Sequence, residues 1–323
     1  MLCAASATLV GCAAPAAGGA QPGSAHGPRA GTAAVEVARG VYMVQGASGE
    51  VSSDNLGRVG NSGFIVGESG VLAIDTGTSY RHGKVLLDAI HRVTDKPVRL
   101  ALVTHTRQEF LFGASAFREQ GIPVHMHRQA AGLMQSRCDR CLKTLRQVLG
   151  DDEMRSTAMW KPDREFDESE TIDAIGRPVQ VIYAGHSSGP GDVAVFDPRT
   201  GVLFAGGMVD HRRIPDVQDG ALAAWRSALR QLRQLPLKTV VPGHGPPGPP
   251  ESIDHVDRYL AHLEQRVLEL LVLGAALSEV ADEAALPDYA RWDQYETIHR
   301  RNASVLFVRL ERDEMFKRAG APP

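Results

Sequence analysis

Apolar residues change their period along this chain, and the changes mark out its elements. Alternating runs over 35–38 and 41–44 flank Gly40 and predict a short hairpin. Runs over 64–67 and 71–74 predict a second strand pair, joined through Glu68, Ser69 and Gly70. Between 79 and 93 the spacing becomes helical, with Val85, Leu86, Ala89 and Ile90 on one face. A nearly continuous apolar stretch over 99–103 predicts a buried strand. A helix over 109–120, a strand over 122–126 and a long amphipathic helix over 130–149 follow.

The second half predicts short β-branched strands over 179–183, 193–196 and 202–205. A helix over 222–235 with Trp225, Leu229 and Leu232 on one face comes next, then a last buried strand over 239–241. Pro246, Pro247, Gly248, Pro249 and Pro250 punctuate the chain, and everything beyond reads helical: 253–273, 278–285 and 289–317. Alternating strands and helices imply an α/β domain over 35–250, with a C-terminal helical extension over 251–323.

Composition narrows the function classes. Hydrophobic residues make up 43% and charged residues 23% of 323, with a formal net charge of −3, so the clustered basic excess of a nucleic-acid binder is missing. No apolar run approaches the ~20 residues of a spanning helix. The first 20 residues are almost all small or apolar, and the first charge is Arg29. Leu9, Val10, Gly11 and Cys12 resemble a bacterial lipobox, which implies a signal peptide over 1–11, lipidation at Cys12 and a flexible tether over 12–34. The run lacks a basic opening, so translation is expected to start further upstream. The expectation is a periplasmic protein touching the membrane only through its lipid. In an oxidising compartment Cys138 and Cys141, with two residues between them, are expected to form a local disulfide. Zinc would need about four ligands and no second cysteine pair exists; a redox role is the remaining alternative.

The loops that follow the predicted strands carry the chemistry. In chain order they hold Asp75 with Gly77; His105 through Phe110; Gly185 with His186; Gly206 with Gly207; and Gly243, His244 and Gly245. In open α/β sheets functional groups collect at strand ends, and imidazole is the commonest metal ligand. One such histidine means little, but three in this order mean more. His125 and His127 flank a strand, one facing the site and the other solvent; Asp210 and His211 could supply a displaced ligand. His82, His91, His255 and His262 read as helix-surface residues, and His299 as a residue at the rim. Ser187 or Ser188 as a nucleophile lacks a visible partner.

This order resembles the metallo-β-lactamase superfamily over roughly 35–247. Its pattern is His-x-His-x-Asp-His, then Gly-His, Gly-Asp and a final Gly-His, holding two metals, usually zinc, that activate a bridging water. The resemblance implies an αββα sandwich and hydrolysis of an ester, thioester, amide or phosphoester. Residues 94–99 and 213–216 are similar to an exported quinoprotein-relay branch. That branch implies an alternative: a non-catalytic binding or accessory protein with a periplasmic quinoprotein or cytochrome as redox partner.

The motif departs from the pattern position by position. His105 is kept; Arg107 stands for the second histidine, Glu109 for the aspartate and Phe110 for the last histidine. His186 and His244 are kept, while Gly207 replaces the bridging aspartate. A permanently charged guanidinium repels a dication, at roughly 4 kcal/mol per unit charge at 4 Å and an effective dielectric of 20. Two arrangements follow. Either at most one zinc is held by some of His105, Glu109, His186 and His244, or Arg107 takes the metal's place, neutralised by Glu109, in a pocket for a small molecule or anion. Phe110 is otherwise a core aromatic. These departures make β-lactam turnover an unsuitable reading.

Overall fold

The computed structural model describes residues 32–318; the lipobox, Cys12 and residues 13–31 of the tether lie outside them. Strands β1 (Ala34–Ala38), β2 (Val41–Val44), β3 (Ser62–Val66) and β4 (Val71–Ile74) form an antiparallel meander. Helix α1 (Tyr80–Val93) follows, capped by the Ser79 side chain, which accepts from the His82 amide. Then β5 (Val98–Val103), β6 (Val124–His127) and β7 (Arg164–Phe166) add in parallel, completing a seven-stranded sheet in sequence order. Helices α2 (Gln108–Leu111), α3 (Ala114–Glu119) and α4 (Arg128–Glu153) connect them.

The second sheet has five strands in the order β12-β11-β10-β9-β8. They are β8 (Glu170–Ile172), β9 (Val179–Tyr183), β10 (Val193–Asp197), β11 (Val202–Phe204) and β12 (Thr239–Val241). Helix α5 (Leu222–Leu232) precedes β12, and α6 (Glu251–Leu273), α7 (Leu277–Glu283) and α8 (Arg300–Arg318) follow it.

Strand periodicity explains why these layers stack. In β5, Leu100 and Leu102 face the second sheet, while Ala101 and Val103 face α1, α3 and α4. In β10, Val193 and Val195 face inward, while Ala194 and Phe196 pack toward α5, α6 and α8. Both sheets are thus buried on two faces, as the continuous apolar runs require. The result is the αββα sandwich, and one core joins β10 and β11 to the helices beyond Pro250.

Four elements differ from the sequence expectation. The helix expected over 109–120 is broken at Gly113, where a Cβ would lie 1.8 Å from the Thr76 carbonyl oxygen. The backbone of Gly113 instead donates to Gly77 at 2.9 Å, pinning the site loop to the end of β4. Strands β7 and β8 carry three residues each and no alternating signal, so they were not expected. The helix expected over 289–317 is interrupted before α8 by a π-helical turn (Tyr295–His299) that opens on Gln294 at φ +65°.

Candidate functional site

The site begins at the carboxyl end of β4. Asp75 adopts φ +58°, a left-handed turn that aspartate tolerates better than most residues. That turn directs its buried carboxylate at the next strand end, where it accepts from the Thr104 amide at 2.9 Å and the Thr104 hydroxyl at 2.9 Å. Burial raises the Asp75 carboxyl to about 7 despite those bonds. Thr104 Oγ1 also lies 2.7 Å from His105 Nδ1. When the hydroxyl hydrogen goes to ionised Asp75, Nδ1–H donates to Thr104 and His105 presents its Nε2 lone pair. That Nε2 is buried and has no hydrogen-bond partner. Burial, then the charge of Arg107, hold the His105 imidazole down at about 3, so it is neutral at any ordinary pH.

Phe110 is fully buried between two of the candidate ligands. Its ring centroid is 4.3 Å from that of His105 and 5.2 Å from that of His244. It also lies on Gly60, where a Cβ would meet the ring at 2.6 Å. Phe110 is therefore the core aromatic that the sequence allowed, wedged between the histidines.

His244 sits past β12, with its two nitrogens between carboxylates. Nδ1 is 2.8 Å from Asp210 Oδ1 and Nε2 is 3.1 Å from Glu109 Oε1. Burial works against an imidazolium here, but Asp210 and Glu109 outweigh it and raise the His244 pKa. Burial likewise opposes ionised Glu109, yet the His244 bond and charge bring its carboxyl to about 2. Asp210 thus enters the site as the partner of His244.

Arg107 stands at the N-cap position of α2 without capping it, and its guanidinium turns into the pocket. Nη1 donates to Asp216 Oδ2 at 2.6 Å and Nη2 to the Asp216 carbonyl at 3.1 Å. Burial penalises its charge, and Asp216 followed by Glu109 more than restores it. The expected neutralisation by Glu109 is thus corrected: Asp216 is the contact partner, because Glu109 is taken by His244. Arg301 from α8 donates to the same Asp216 oxygen at 2.8 Å. Asp216 entered the sequence reading only within the 213–216 stretch and Arg301 not at all as a site residue, since α8 meets the pocket only after folding.

Gly207 closes the far wall. A Cβ there would fall 2.7 Å from His105 Cδ2 and 3.2 Å from Asp192 Oδ2. Asp192 is itself bonded to Ser188 Oγ at 2.6 Å, and burial raises its carboxyl to about 6. The His105 ring thus rests where a longer side chain at 207 would begin.

The structure does not bring His186 into this cluster. The side chain is exposed, and Nε2–H donates to the Asp219 carbonyl at 2.6 Å. Neither His125 nor His127 lines the pocket; His127 Nδ1 accepts from Gln129 N at 3.2 Å and caps α4. His211 contacts the Pro246 carbonyl at 3.0 Å, and Ser187 is buried without a hydroxyl partner. Two helix-surface or rim readings are corrected. His82 is 1% exposed, because its ring packs on Gly77 and its Nδ1 accepts from Thr78 N at 3.1 Å. His299 is buried, its Nδ1 3.0 Å from the Tyr259 hydroxyl, because the π-helical turn rotates it into the C-terminal core. Cys138 and Cys141, the pair expected to bridge, are free thiols in this structure, with Sγ atoms 2.8 Å apart on one helical face of α4.

Asn61 ties the halves together below the pocket. Its amide donates to the carbonyls of Pro242 (2.9 Å) and Gly245 (2.8 Å), and its side-chain oxygen accepts from Gly46 N at 2.9 Å. The cavity above has a volume of about 500 Å³, with His105, Arg107, Glu109, Gly207, Asp210 and His244 in its wall. As arranged, no three His, Cys, Asp or Glu side chains among the described residues could hold a metal ion. His105, Glu109 and His244 carry donor atoms, but the Glu109–His244 bond takes one donor from each.

The sequence profile of the metallo-beta-lactamase superfamily matches residues 56–244. The chain belongs to the metallo-β-lactamase superfamily. It is 27% identical over 139 residues to a metallo-beta-lactamase type 2 of Bacteroides fragilis, covering 42% of this chain and 56% of that protein. It is 21% identical over 264 residues to a linear primary-alkylsulfatase of Pseudomonas sp. (strain ATCC 19151), covering 70% of this chain and 50% of that one. The chain thus spans about half the length of these curated relatives. Among solved structures, a metallo-beta-lactamase from Pontibacter korlensis superposes with a TM-score of 0.57 at 24% identity, over 71% of this chain and 98% of that one. That likeness carries the fold. The family usually binds zinc and its members include hydrolases, so the chain is a hydrolase-like member by fold.

Proposed function

We propose that this metallo-β-lactamase-fold protein binds a small molecule through fixed charges in a pocket whose zinc pair has been lost. One observation carries the reading: Arg107 is held inside the pocket by Asp216 while Phe110 fills the space between His105 and His244. A guanidinium and a phenyl ring occupy two positions where the family pattern places imidazoles. Gly207 offers no side-chain oxygen, and His186 is engaged elsewhere.

The charge layout supports a class of ligand. Arg107 and Arg301 share the single carboxylate of Asp216, leaving one end of the pocket with surplus positive charge. At the other end His244 lies between Glu109 and Asp210, leaving surplus negative charge. His105 Nε2 adds a lone pair with no partner. A ligand with an anionic group at one end and N–H or O–H donors at the other satisfies both ends. His105 is a poor general base, because a group that protonates only near pH 3 has little proton affinity at pH 7.

Metal analysis of chain purified without chelator, together with calorimetry against sulfate, phosphate and small hydroxy acids, tests this. Sub-stoichiometric metal and anion binding that Arg107→Ala abolishes are expected. Near-stoichiometric zinc, manganese or iron would overturn the metal-free reading. A one-metal hydrolase has in its favour the unpartnered His105 Nε2; Glu109 and His244 would join it only by giving up their mutual bond. Zinc-stimulated turnover of a chromogenic ester or phosphoester panel would select it. The lipobox at 9–12 supports a lipid-anchored, periplasmic location for either reading. Fatty-acid labelling lost in Cys12→Ala checks that part.

A further inference from the structure

The same pocket wall contains a feature that ligand binding does not use. Cys138 and Cys141 stand on successive turns of one face of α4, and both line the cavity that holds Arg107 and Glu109. Their Sγ atoms are 2.8 Å apart, so closure to the ~2.05 Å of a disulfide needs a movement under 1 Å. The two thiols are unequal: Cys138 is 1% exposed, whereas Cys141 is half-buried and reaches the cavity.

We infer that Cys138 and Cys141 form a thiol–disulfide exchange site opening on the pocket, with small-molecule disulfides as its reactants. Three observations exclude the blander roles. A structural staple gains least across the shortest loops, and this one would join residues already held within a continuous helix. A metal role fails because, among the described residues, no third His, Cys, Asp or Glu converges on the pair. A purely apolar packing role suits Cys138 but not a thiol that faces a charged cavity beside Arg137 and Arg107.

The chemistry balances within the pair and one disulfide, R–S–S–R. The Cys141 thiolate attacks one sulfur, forming Cys141–S–S–R and expelling RS⁻, which takes up a proton as RSH. The Cys138 thiol loses its proton, attacks Cys141 Sγ and expels the second RS⁻, again protonated to RSH. Two electrons pass from the protein to the small disulfide, and two thiol protons leave with the two RSH molecules. The order of events follows exposure, since access selects which thiol is attacked first. The contact between the two thiols lowers Cys141 and raises Cys138, and burial raises Cys138 further, so Cys141 is the first to ionise while Cys138 stays protonated. This inference stands on the thiol geometry and is independent of the ligand reading above.

The test treats the full chain with oxidised glutathione and maps disulfides by peptide mass, which separates this pair from Cys3 and Cys12. The wild type is expected to form the Cys138–Cys141 bond and release two equivalents of reduced glutathione, retaining no adduct on either residue. C138S should trap one glutathione on Cys141. C141S should react at Cys138 about tenfold more slowly or less, because the remaining thiol is buried. A wild-type pair that stays reduced in excess oxidised glutathione overturns the inference, as does C141S reacting as fast as C138S. Circular dichroism confirms folding of each variant; if either fails to fold, the wild-type product decides alone.

Discussion

Gly207 and His105 are interlocked: a Cβ on Gly207 would fall 2.7 Å from Cδ2 of the His105 ring. The histidine takes its place because residue 207 has no side chain, and the aspartate of the family pattern would need that ring to turn. Gly207→Asp is therefore expected to destabilise the fold by about 1–3 kcal/mol through overpacking. A guanidinium denaturation midpoint equal to that of the wild type would show that the His105 ring moves aside freely.

Arg107 and Arg301 meet on one carboxylate, so their contributions are coupled. Arg107→Ala leaves Asp216 paired with Arg301, and vice versa. Each single change is expected to cost about 1 kcal/mol, and the double change clearly more than the sum, by about 0.5–3 kcal/mol. A double-mutant cycle in urea measures this term. Strict additivity would mean that Asp216 does not need either partner.

Phe110→Ala removes a fully buried ring from between two histidines and above Gly60. The expected loss is about 3–5 kcal/mol, the cost of a buried aromatic with incomplete collapse around it. A calorimetric melt reads it directly.

Restoring the motif tests the positional correspondence. The double substitution Arg107→His with Phe110→His places two imidazoles beside His105 and removes the repelling charge. Zinc affinity by competitive titration should rise at least about tenfold, since that requires only about 1.4 kcal/mol. No gain over the wild type would sink the alignment of this loop with the family pattern.

His82 provides the pH dependence. Burial, with the charge of Arg58, holds it at about 3 in the folded chain, against 6.5 for the free side chain. Between these values the unfolded state binds the extra proton, so His82 stabilises the fold fully above pH 6.5 and progressively less as pH falls to 3. Asp75 and Asp192, raised to about 7 and about 6, work in the opposite sense over much of that window. The wild-type curve therefore mixes the two signs, and His82→Asn isolates one of them. Its stability should lose about 1.4 kcal/mol less per pH unit than that of the wild type between pH 6 and 4. Parallel wild-type and mutant curves would mean that His82 protonates freely in the native state.

The central strands β4, β5 and β10 were legible because they are buried along most of their length and leave nearly unbroken apolar runs, whereas the three-residue β7 and β8 left none. Asp75, His105 and His244 were legible because they follow such strands. Asp216 and Arg301 were not, since a charge pair 85 residues apart leaves no periodic trace. His186 misled for the opposite reason. Its neighbours satisfy the Gly-His pattern, yet the side chain finds the Asp219 carbonyl and turns outward. The Cys pair gave its position but not its state, which depends on reactants rather than on packing.

The amide of Asn61 donates across the sandwich to Pro242 and Gly245, while its oxygen accepts from Gly46 on its own side. His105 hangs from the first sheet and His244 from the second, so this side chain, with Phe110 between the rings, helps hold their spacing. Any slippage of one sheet over the other would be read at the pocket before it reached the surface, which makes the site a caliper for the alignment of the two halves of the molecule.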